Sequence, residues 1–323
     1  MAGEGMAEVA LVTRDPAMLR VLDLVGSVAA NEVAVLVHGE SGTGKHLLAR
    51  RLHHQSPRRN GPFAAVHCAA LSRERLASAL FGHEPGAVPG ALVRALGVLE
   101  LTRGGTVLLE EIGELESGLQ ARVLRLLREQ VVERVGSREP VPVDVRIVAT
   151  TTRRLRPLVD AGRLRGDLFD CLSGTAVVVP SLRERRGDIE LLAAHVLERL
   201  ETGRTLRLDG SAQELLAARP WPGNVRELVH VLERAAILAQ GAVITAADLE
   251  DGDASPLRLG LGSLAGLTVR EVERRLIVDT LERTRNNRTQ AAKLLGISIR
   301  TLRNKLAEYR ARGECVLARE PTI

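Results

Sequence analysis

The stretch VAVLVHGESGTGK, residues 33–45, decides the fold. Its first half is a short apolar run, which predicts a buried strand. Its second half, GESGTGK (39–45), has the G-x-x-x-x-G-K spacing of a phosphate-binding loop that opens a helix. The glycines of such a loop let backbone N–H groups surround phosphate oxygens, and Lys45 is placed to reach the terminal phosphates. The stretch therefore predicts a strand, a loop and a helix around a phosphate site.

A pair of carboxylates follows a second predicted strand. The run GGTVLLEEIG (104–113) is mostly apolar before Glu110 and Glu111. Beside a phosphate loop, one carboxylate at a strand end can hold Mg²⁺ through water, while the other orients an attacking water as a base. His46 lies where the loop motif usually has Ser or Thr, whose hydroxyl contacts Mg²⁺. The predicted nucleotide contacts in the loop are Gly39, Glu40, Ser41, Gly42, Thr43, Gly44, Lys45 and His46.

Strands and helices alternate over the first half of the chain. Further buried strands are predicted at VDVRIVATT (143–151) and GTAVVVP (174–180). Such alternation predicts an α/β fold, with a parallel sheet that has helices on both faces. Residues 186–249 have helical Leu and Ala spacing with breaks at 220–223, and residues 251–266 have the Gly, Ser, Pro and Asp content of a linker.

The composition is that of a soluble globular protein of about two domains. Of the 323 residues, 45% are hydrophobic and 26% are charged. No apolar run is long enough to cross a membrane, and the N-terminal residues do not resemble a signal peptide, so we expect a cytoplasmic protein without a membrane partner. The three cysteines are widely spaced and odd in number, which argues against a disulfide framework or a metal-binding knuckle.

Basic charge is concentrated near the C-terminus. Residues 266–312 contain twelve Lys and Arg and five Asp and Glu, a balance of +7, whereas the rest of the chain, with 33 basic and 35 acidic residues, has a balance of −2. A small basic module on a near-neutral body favours nucleic-acid binding. A solvated helical surface can have the same charge, so charge alone leaves both interpretations open.

Three helices are predicted in this basic module. Thr289 can cap a short second helix that ends at Gly296, and Ser298 can cap the third. The predicted apolar residues are Val272, Leu276 and Leu281, with Ile277 beside them, in the first helix, and Ile299, Leu302, Leu306 and Tyr309 in the third.

A short helix, a glycine turn and a basic helix together predict a helix-turn-helix whose last helix enters the major groove of double-stranded DNA. Arg and Asn side chains suit guanine and adenine edges, whereas Lys305 is expected to contact a phosphate. A plain three-helix bundle with a charged exterior is the alternative. The predicted DNA contacts are Ser298, Arg300, Thr301, Arg303, Asn304 and Lys305.

Taken together, these motifs resemble the central AAA+ domain of bacterial enhancer-binding proteins, the sigma-54-dependent activators, over about residues 10–312. The C-terminal module resembles their Fis-type DNA-binding domain. Its segment GISIRTLRNKL is most similar to the flagellar-gene activators of the family. The segments that carry the AAA+ resemblance are GESGTGK, LFGHEPGAVPGA, GGTVLLEEIGEL, VERVGSREPVPVDVRIVATT, PSLRERRGDI and WPGNVREL.

The resemblance implies roles for individual residues. Lys45 matches the phosphate-loop lysine, and Glu111 matches the carboxylate that drives hydrolysis. Arg165 matches the first of two arginines that reach the nucleotide of a neighbouring subunit, and Arg226 matches an arginine that senses nucleotide from the helical lid. Members form hexameric rings and use ATP hydrolysis to remodel RNA polymerase that carries sigma-54. The implied domains are an AAA+ core (1–180), a lid (181–250), a linker (251–266), a Fis-type helix-turn-helix (267–312) and a tail (313–323).

One loop departs from the family pattern. Where the family has GAFTGA, a loop that touches the sigma factor, this chain has GAVPGA, so that Val88 replaces Phe and Pro89 replaces Thr. Loss of a buried aromatic side chain from a protein contact costs about 2 kcal/mol or more. The predicted sigma-contact loop comprises Gly86, Ala87, Val88, Pro89, Gly90 and Ala91.

Three further departures fall at the implied catalytic positions. Glu110, the predicted Mg²⁺ ligand through water, replaces an Asp, and its longer side chain moves the charge. Thr152 replaces an Asn that positions water and relays the nucleotide state. Cys171 replaces the second trans-acting arginine, and a thiol cannot stabilise the charge on a transferring phosphate.

These departures lead to the hypothesis that the chain is a DNA-binding regulator that binds ATP and Mg²⁺ in a self-associated ring. It is expected to hydrolyse ATP slowly or not at all, and to engage RNA polymerase with sigma-54 weakly. A working sigma-54-dependent activator ATPase that tolerates the substitutions is a second interpretation. A third is a DNA-binding subunit of a mixed ring with an intact paralogue.

Overall fold

A computed structural model describes residues 11–200, 204–239, 241–250, 273, 276–277, 280–281, 284 and 287–311. The chain divides into two compact units, Met1–Gly252 and Asp253–Ile323. The predicted linker at 251–266 and tail at 313–323, together with Val272, lie outside the described residues. Among the described residues, no helix combines the length and the apolar character that crossing a bilayer requires.

The larger unit is built on a five-stranded sheet in the order β2-β3-β6-β1-β7, in which every pair is parallel. An antiparallel hairpin, β4–β5, and a short parallel pair, β8–β9, lie outside it. The strands are β1 (Val35–His38), β2 (Phe63–His67), β3 (Gly105–Glu110), β4 (Val131–Glu133), β5 (Pro140–Pro142), β6 (Val145–Thr151), β7 (Ala176–Val178), β8 (Arg207–Leu208) and β9 (Val243–Ile244).

Helices pack on both faces of the sheet. Alternate residues of β1 face opposite ways: Val35 and Val37 join one apolar core, and Leu36 joins the other. The helices of the larger unit are α1 (Pro16–Ala29), α2 (Lys45–His54), α3 (Arg73–Phe81), α4 (Val98–Leu101), α5 (Ser117–Glu129), α6 (Arg156–Asp160), α7 (Gly166–Ser173), α8 (Gly187–Arg199), α9 (Gly210–Ala218), α10 (Asn224–Leu238) and α11 (Ala246–Glu250), with short 3-10 helices at Ile112–Glu114 and Leu182–Glu184.

The predicted α/β fold with a parallel sheet is confirmed, and all four predicted strands are present as β1, β3, β6 and β7. No strand was predicted at β2. Its sequence, FAAVH, is apolar but contains two alanines, a residue type that is depleted in strands, so the run has little β-propensity.

The last four helices of the larger unit, α8 to α11, form a separate apolar core around Trp221, Leu228 and Leu232. The predicted break at 220–223 separates α9 from α10. This helical part, together with the 3-10 helix Leu182–Glu184 that joins the same core through Leu182, is called the lid below.

The smaller unit contains α12 (Arg288–Leu294) and α13 (Ile299–Ala311), and residues 273, 276–277 and 280–281 are also helical. Of the predicted apolar residues of this first segment, Leu281 is buried, as is Ile277 beside it, but the prediction is wrong for Leu276, which is 57% exposed. In α13, Leu302, Leu306 and Tyr309 are buried as predicted, but Ile299 is exposed.

The cap of α12 also differs from the prediction. The side chain of Asn287, not of Thr289, accepts a hydrogen bond from the Gln290 amide at 3.1 Å. Asn287 directly precedes the first helical residue, whereas Thr289 lies inside the helix, where its hydroxyl cannot reach the free amides. Ser298 caps α13 as predicted, accepting from the Thr301 amide at 3.0 Å.

Candidate nucleotide site and DNA-binding helix

The loop between β1 and α2 has the backbone of a phosphate cradle. Gly42 and Gly44 have φ angles of +77° and +100°, a region that residues with a Cβ rarely adopt. A Cβ on Gly42 would lie 2.2 Å from the carbonyl oxygen of Gly223, so only glycine allows the lid to approach the loop this closely. Because α2 begins at Lys45, its first amides point out of the helix end, where anions bind.

Lys45 lies inside this cradle. Its ammonium donates to the carbonyl oxygens of Gly39 at 2.8 Å and Glu40 at 3.0 Å, and it lies 4.0 Å from Glu111 Oε1. Burial lowers its pKa, although the nearby Glu111 carboxylate opposes that shift. A largely buried cation held only by two carbonyls and one loose ion pair is well suited to bind an anion.

Glu110 and His46 form a pair at the end of β3. His46 Nδ1 lies 3.1 Å from Glu110 Oε1. The hydrogen bond from His46 lowers the pKa of Glu110, against the opposing effect of burial. The residue that occupies the usual Ser or Thr position of the loop therefore contacts the carboxylate predicted to hold Mg²⁺.

Glu111 is held from the neighbouring strand. The amide and the hydroxyl of Thr152 both donate to Glu111 Oε2, at 3.0 and 2.8 Å. Glu111 has a φ angle of +55°, so the chain turns sharply at this carboxylate. Because β3 and β6 are adjacent parallel strands, their carboxyl ends bring Glu111, Thr152 and the phosphate loop to one edge of the sheet.

The lid contacts the phosphate loop through α10. Arg226 donates to Ser41 Oγ at 3.1 Å, and the Val225 amide donates to the Gly42 carbonyl at 3.0 Å. Arg226 is therefore at the loop, as the family resemblance implies for a lid residue that senses nucleotide.

Two lid residues at this site were not predicted individually. Arg183 pairs with the Glu40 carboxylate through both terminal guanidinium nitrogens, and Asn224 donates to the same carboxylate at 3.1 Å. Both belong to quoted motifs, PSLRERRGDI and WPGNVREL, so the available signal was their membership of those segments.

The two positions implied to act on a neighbouring subunit differ in exposure. Arg165 is exposed, and its guanidinium binds Asp167 at 3.0 and 2.8 Å. Cys171 is half-buried against the main apolar core and lines a cavity of about 260 Å³ with Leu127, Val145 and other residues. Of the other cysteines, Cys68 is a buried free thiol and Cys315 lies outside the described residues.

The loop at 86–91 closes on itself and has no regular secondary structure, as its composition predicts. The Gly86 amide donates to the Ala91 carbonyl at 2.7 Å. Val88 is half-buried and lines, with Pro89, a cavity of about 400 Å³ against α3 and α5. Two strongly exposed apolar side chains follow the loop: Leu92 is 89% exposed and Val93 is 72% exposed.

On α13, the predicted DNA contacts share one surface. Arg300, Thr301, Arg303 and Asn304 are exposed, and the Thr301 hydroxyl is hydrogen-bonded to Ser298 Oγ at 2.8 Å. Lys305 forms an ion pair with Glu273 of the first helical segment at 2.6 Å, so this lysine is held by a carboxylate. Within the described ranges, no cluster of three or more His, Cys, Asp and Glu side chains could hold a metal ion.

Comparison with known proteins identifies the family. A family profile described as the Sigma-54 interaction domain matches residues 11–178, which is more than half of the chain. The chain belongs to the sigma-54-dependent transcriptional regulators. The AAA+ ATPase lid domain of the family matches residues 183–255, and the bacterial regulatory protein, Fis family, matches residues 268–309. The predicted AAA+ core, helical lid and helix-turn-helix are therefore confirmed.

Individual relatives agree with this family. Regulatory protein AtoC of Escherichia coli (strain K12) is 42% identical over 311 residues, which cover 93% of this chain and 67% of that protein. Transcriptional regulatory protein FlbD of Caulobacter vibrioides is 42% identical over 318 residues, covering 93% and 70%. Among solved structures, NtrX from Brucella abortus in complex with ADP is 32% identical with a TM-score of 0.72, covering 93% of this chain and 69% of that one.

Proposed function

We propose that this chain is a DNA-binding transcriptional regulator that binds ATP with Mg²⁺ in an oligomeric ring, with weakened hydrolysis and an altered contact with sigma-54. The observation that carries the proposal is the position of Lys45, whose buried ammonium lies in the phosphate loop and 4.0 Å from Glu111. Phosphate, metal and water sites of nucleotide hydrolases are built from this set of groups.

ATP fits the loop. The outward amides at the start of α2, Lys45 and Arg226 would hold the phosphates, and the NtrX structures in complex with ATP and ADP show that a relative binds both nucleotides. Mg²⁺ is usually held by one or two carboxylates together with substrate phosphates, and Glu110 would supply such a carboxylate. The bound ion would neutralise phosphate charge.

Weakened hydrolysis is supported by three side chains. Glu110 is already engaged by His46, which competes with a metal ion for the same oxygen. The half-buried Cys171 thiol offers no positive charge to a neighbouring subunit. Both hydrogen bonds from Thr152 are made to Glu111 Oε2, so this oxygen is occupied by protein donors and is less free to accept a proton from an attacking water.

An altered sigma-54 contact is supported by the loop at 86–91. Its replaced anchor, Val88, turns toward α3 and α5, whereas the exposed apolar surface belongs to Leu92 and Val93. Any contact made by this tip would therefore use aliphatic side chains further along the loop. Aliphatic side chains bury less area than an aromatic ring, so the contact would be weaker.

DNA binding is supported by the exposed basic side of α13. Arg300 and Arg303 are placed to read bases or phosphates, and Ser298 fixes the start of the helix. Double-stranded DNA is therefore the proposed partner of the smaller unit. The similarity of this module to flagellar-gene activators stays a prediction.

Steady-state phosphate release by the purified chain tests the proposal, with ATP binding measured in parallel over protein concentrations that span assembly. We expect ATP to bind and to stimulate assembly, with turnover close to the background. Strong turnover that rises with concentration would show that the family's motor is intact in this chain. Turnover that appears only after addition of a second family member would favour the mixed ring.

A further inference from the structure

Glu40 links the phosphate loop to the lid through its side chain. Its carboxylate accepts from Arg183 Nη1 at 2.7 Å, from Arg183 Nη2, and from Asn224 Nδ2 at 3.1 Å. Hydrogen bonds from Arg183, and next from Asn224, lower the pKa of Glu40 to about 2. The carboxylate is therefore ionised at neutral pH and directed at the lid.

The main chain of the same residue faces the phosphate site. The Glu40 carbonyl accepts from Lys45 Nζ at 3.0 Å and from Thr43 Oγ1 at 2.8 Å. Lys45 is the group that a bound phosphate would recruit, so phosphate and the Glu40 carbonyl compete for one ammonium group. Glu40 is thus bound on one side by the lysine and on the other by the lid.

Asn224 connects the Glu40 carboxylate to the helices of the lid. It is fully buried, is the first residue of α10, and has a φ angle of +53°. Its side chain also donates to the Ser41 carbonyl at 2.9 Å and accepts from the Leu182 amide at 2.7 Å. A movement of the Glu40 carboxylate would therefore act on the start of α10 and on the 3-10 helix that carries Arg183.

We propose that Glu40 transmits the occupancy of the phosphate loop to the lid. This inference rests on the proposed nucleotide binding. When phosphate draws Lys45 away, the Glu40 carbonyl loses a charged donor, its peptide group reorients, and the carboxylate shifts Arg183 and Asn224 with the lid. Glu40 acts here as a positioning residue, since its side chain is bound to protein groups and not directed at the nucleotide.

The chain has a natural reporter of this movement. Its single tryptophan, Trp221, is fully buried in the lid, and its indole N–H donates to the Leu216 carbonyl at 2.8 Å. The Asn224 amide donates to the Trp221 carbonyl at 2.9 Å. Trp221 is therefore hydrogen-bonded directly to Asn224, the lid residue whose side chain contacts the Glu40 carboxylate.

The experiment uses the full chain. ATP binding is measured by calorimetry, while Trp221 emission and hydrogen exchange of residues 221–228 report on the lid. In the wild type we expect ATP to change both lid signals. In Arg183→Ala, and in the milder Arg183→Gln should that variant fold poorly, we expect ATP still to bind while the lid signals fall by about threefold or more, because the link between the Glu40 carboxylate and the lid is cut.

Glu190→Gln is the matched control. It removes a lid carboxylate that pairs with Arg14 at 3.1 Å, away from the phosphate loop, and its lid signals should equal those of the wild type. A wild type that binds no ATP would overturn the proposed function together with this inference. ATP binding with no lid signal in the wild type, or with lid signals in Arg183→Ala equal to those of the wild type, would overturn the role of Glu40 and leave nucleotide binding intact.

Discussion

Thr152 holds one carboxylate oxygen of Glu111 with two donors, its amide at 3.0 Å and its hydroxyl at 2.8 Å. The other oxygen of Glu111 lies 4.0 Å from the Lys45 ammonium. The carboxylate is therefore fixed in direction between a neutral clamp and a cation. Such a clamp can orient a base for catalysis, or it can hold the base back, and a single substitution separates these two effects.

Thr152→Val removes the hydroxyl but keeps the shape of the side chain and the amide donor. We expect ATP affinity to stay unchanged and phosphate release to rise about tenfold above the low wild-type rate, because one of the two hydrogen bonds that occupy Glu111 Oε2 is lost. Glu111→Gln serves as the reference for complete loss. Slower phosphate release in Thr152→Val would show instead that the clamp orients Glu111 for catalysis.

Cys171→Arg restores a cation at the implied trans-acting position. Cys171 is half-buried, so a longer side chain at this position can extend into solvent toward a neighbouring subunit. We expect phosphate release to rise about tenfold or more, and only at concentrations where subunits assemble, because an arginine can stabilise phosphate charge across an interface. Cys171→Lys is the control for charge without the planar guanidinium. No gain from either variant would mean that this position is not the limiting defect.

Glu273→Gln releases Lys305 from its ion pair. If Lys305 then reaches a DNA phosphate, affinity should rise several-fold at low salt, and the slope of log affinity against log salt should steepen by about 0.9. Fluorescence anisotropy with a duplex over a range of salt concentrations measures both quantities. The double variant Glu273→Gln with Lys305→Ala should lose the gain, and a gain that persists there would exclude a phosphate contact by Lys305.

Arg146 is the second residue of β6 and is almost fully buried. It donates to the carbonyls of Ala29 at 2.8 Å and Val28 at 2.9 Å, and so caps the C-terminal end of α1. Arg146→Ala should lower the free energy of unfolding by about 3 kcal/mol or more, since two carbonyls lose their donors and a cavity forms. Thermal unfolding measures the loss. Arg156→Ala, at an exposed ion pair, should change the value by less than about 0.5 kcal/mol.

His53 makes stability depend on pH. It is 2% exposed and hydrogen-bonded to Thr106 at 2.9 Å; burial, and next the charge of His54, lowers its pKa below 6.5. Near pH 8 the imidazole is neutral in both the folded and unfolded states. As pH falls below about 6.5, His53 binds a proton in the unfolded chain but not in the folded chain, so the free energy of unfolding decreases. The melting temperature should fall less steeply with pH in His53→Gln, and equal slopes would contradict this assignment.

Local patterns predicted the nucleotide loop because its chemistry is contained in seven consecutive residues that one strand and one helix position. Glu111 and Thr152 were both predicted as site residues from their motifs. The hydrogen bonds between them depend on the pairing of β3 with β6, and the motifs do not predict which strands are neighbours in the sheet. The link from Glu40 to Arg183 joins residues far apart in sequence and could not be read from local spacing.

Errors arose where two neighbouring residues fit the same rule. Leu276 and Ile277 are adjacent apolar residues of one helix, and periodicity alone does not decide which of them faces the core. Asn287 and Thr289 are both good helix caps, and only the position of the first turn distinguishes them. The edge strand β2 was not predicted because two of its five residues are alanines, which are depleted in strands.

The order of the sheet also determines when the chain can fold during synthesis. β2 and β3 are both synthesised early and can pair with each other. β1 is synthesised before them, but its partners come later in the chain: Val35 pairs with Val148 of β6, and Leu36 pairs with Ala176 of β7. A ribosome that has completed β3 therefore displays β1 with two unpaired edges, and long-range parallel pairing of this kind is slow. The phosphate loop, which is anchored on β1, becomes able to bind only when β6 and β7 have emerged from the exit tunnel.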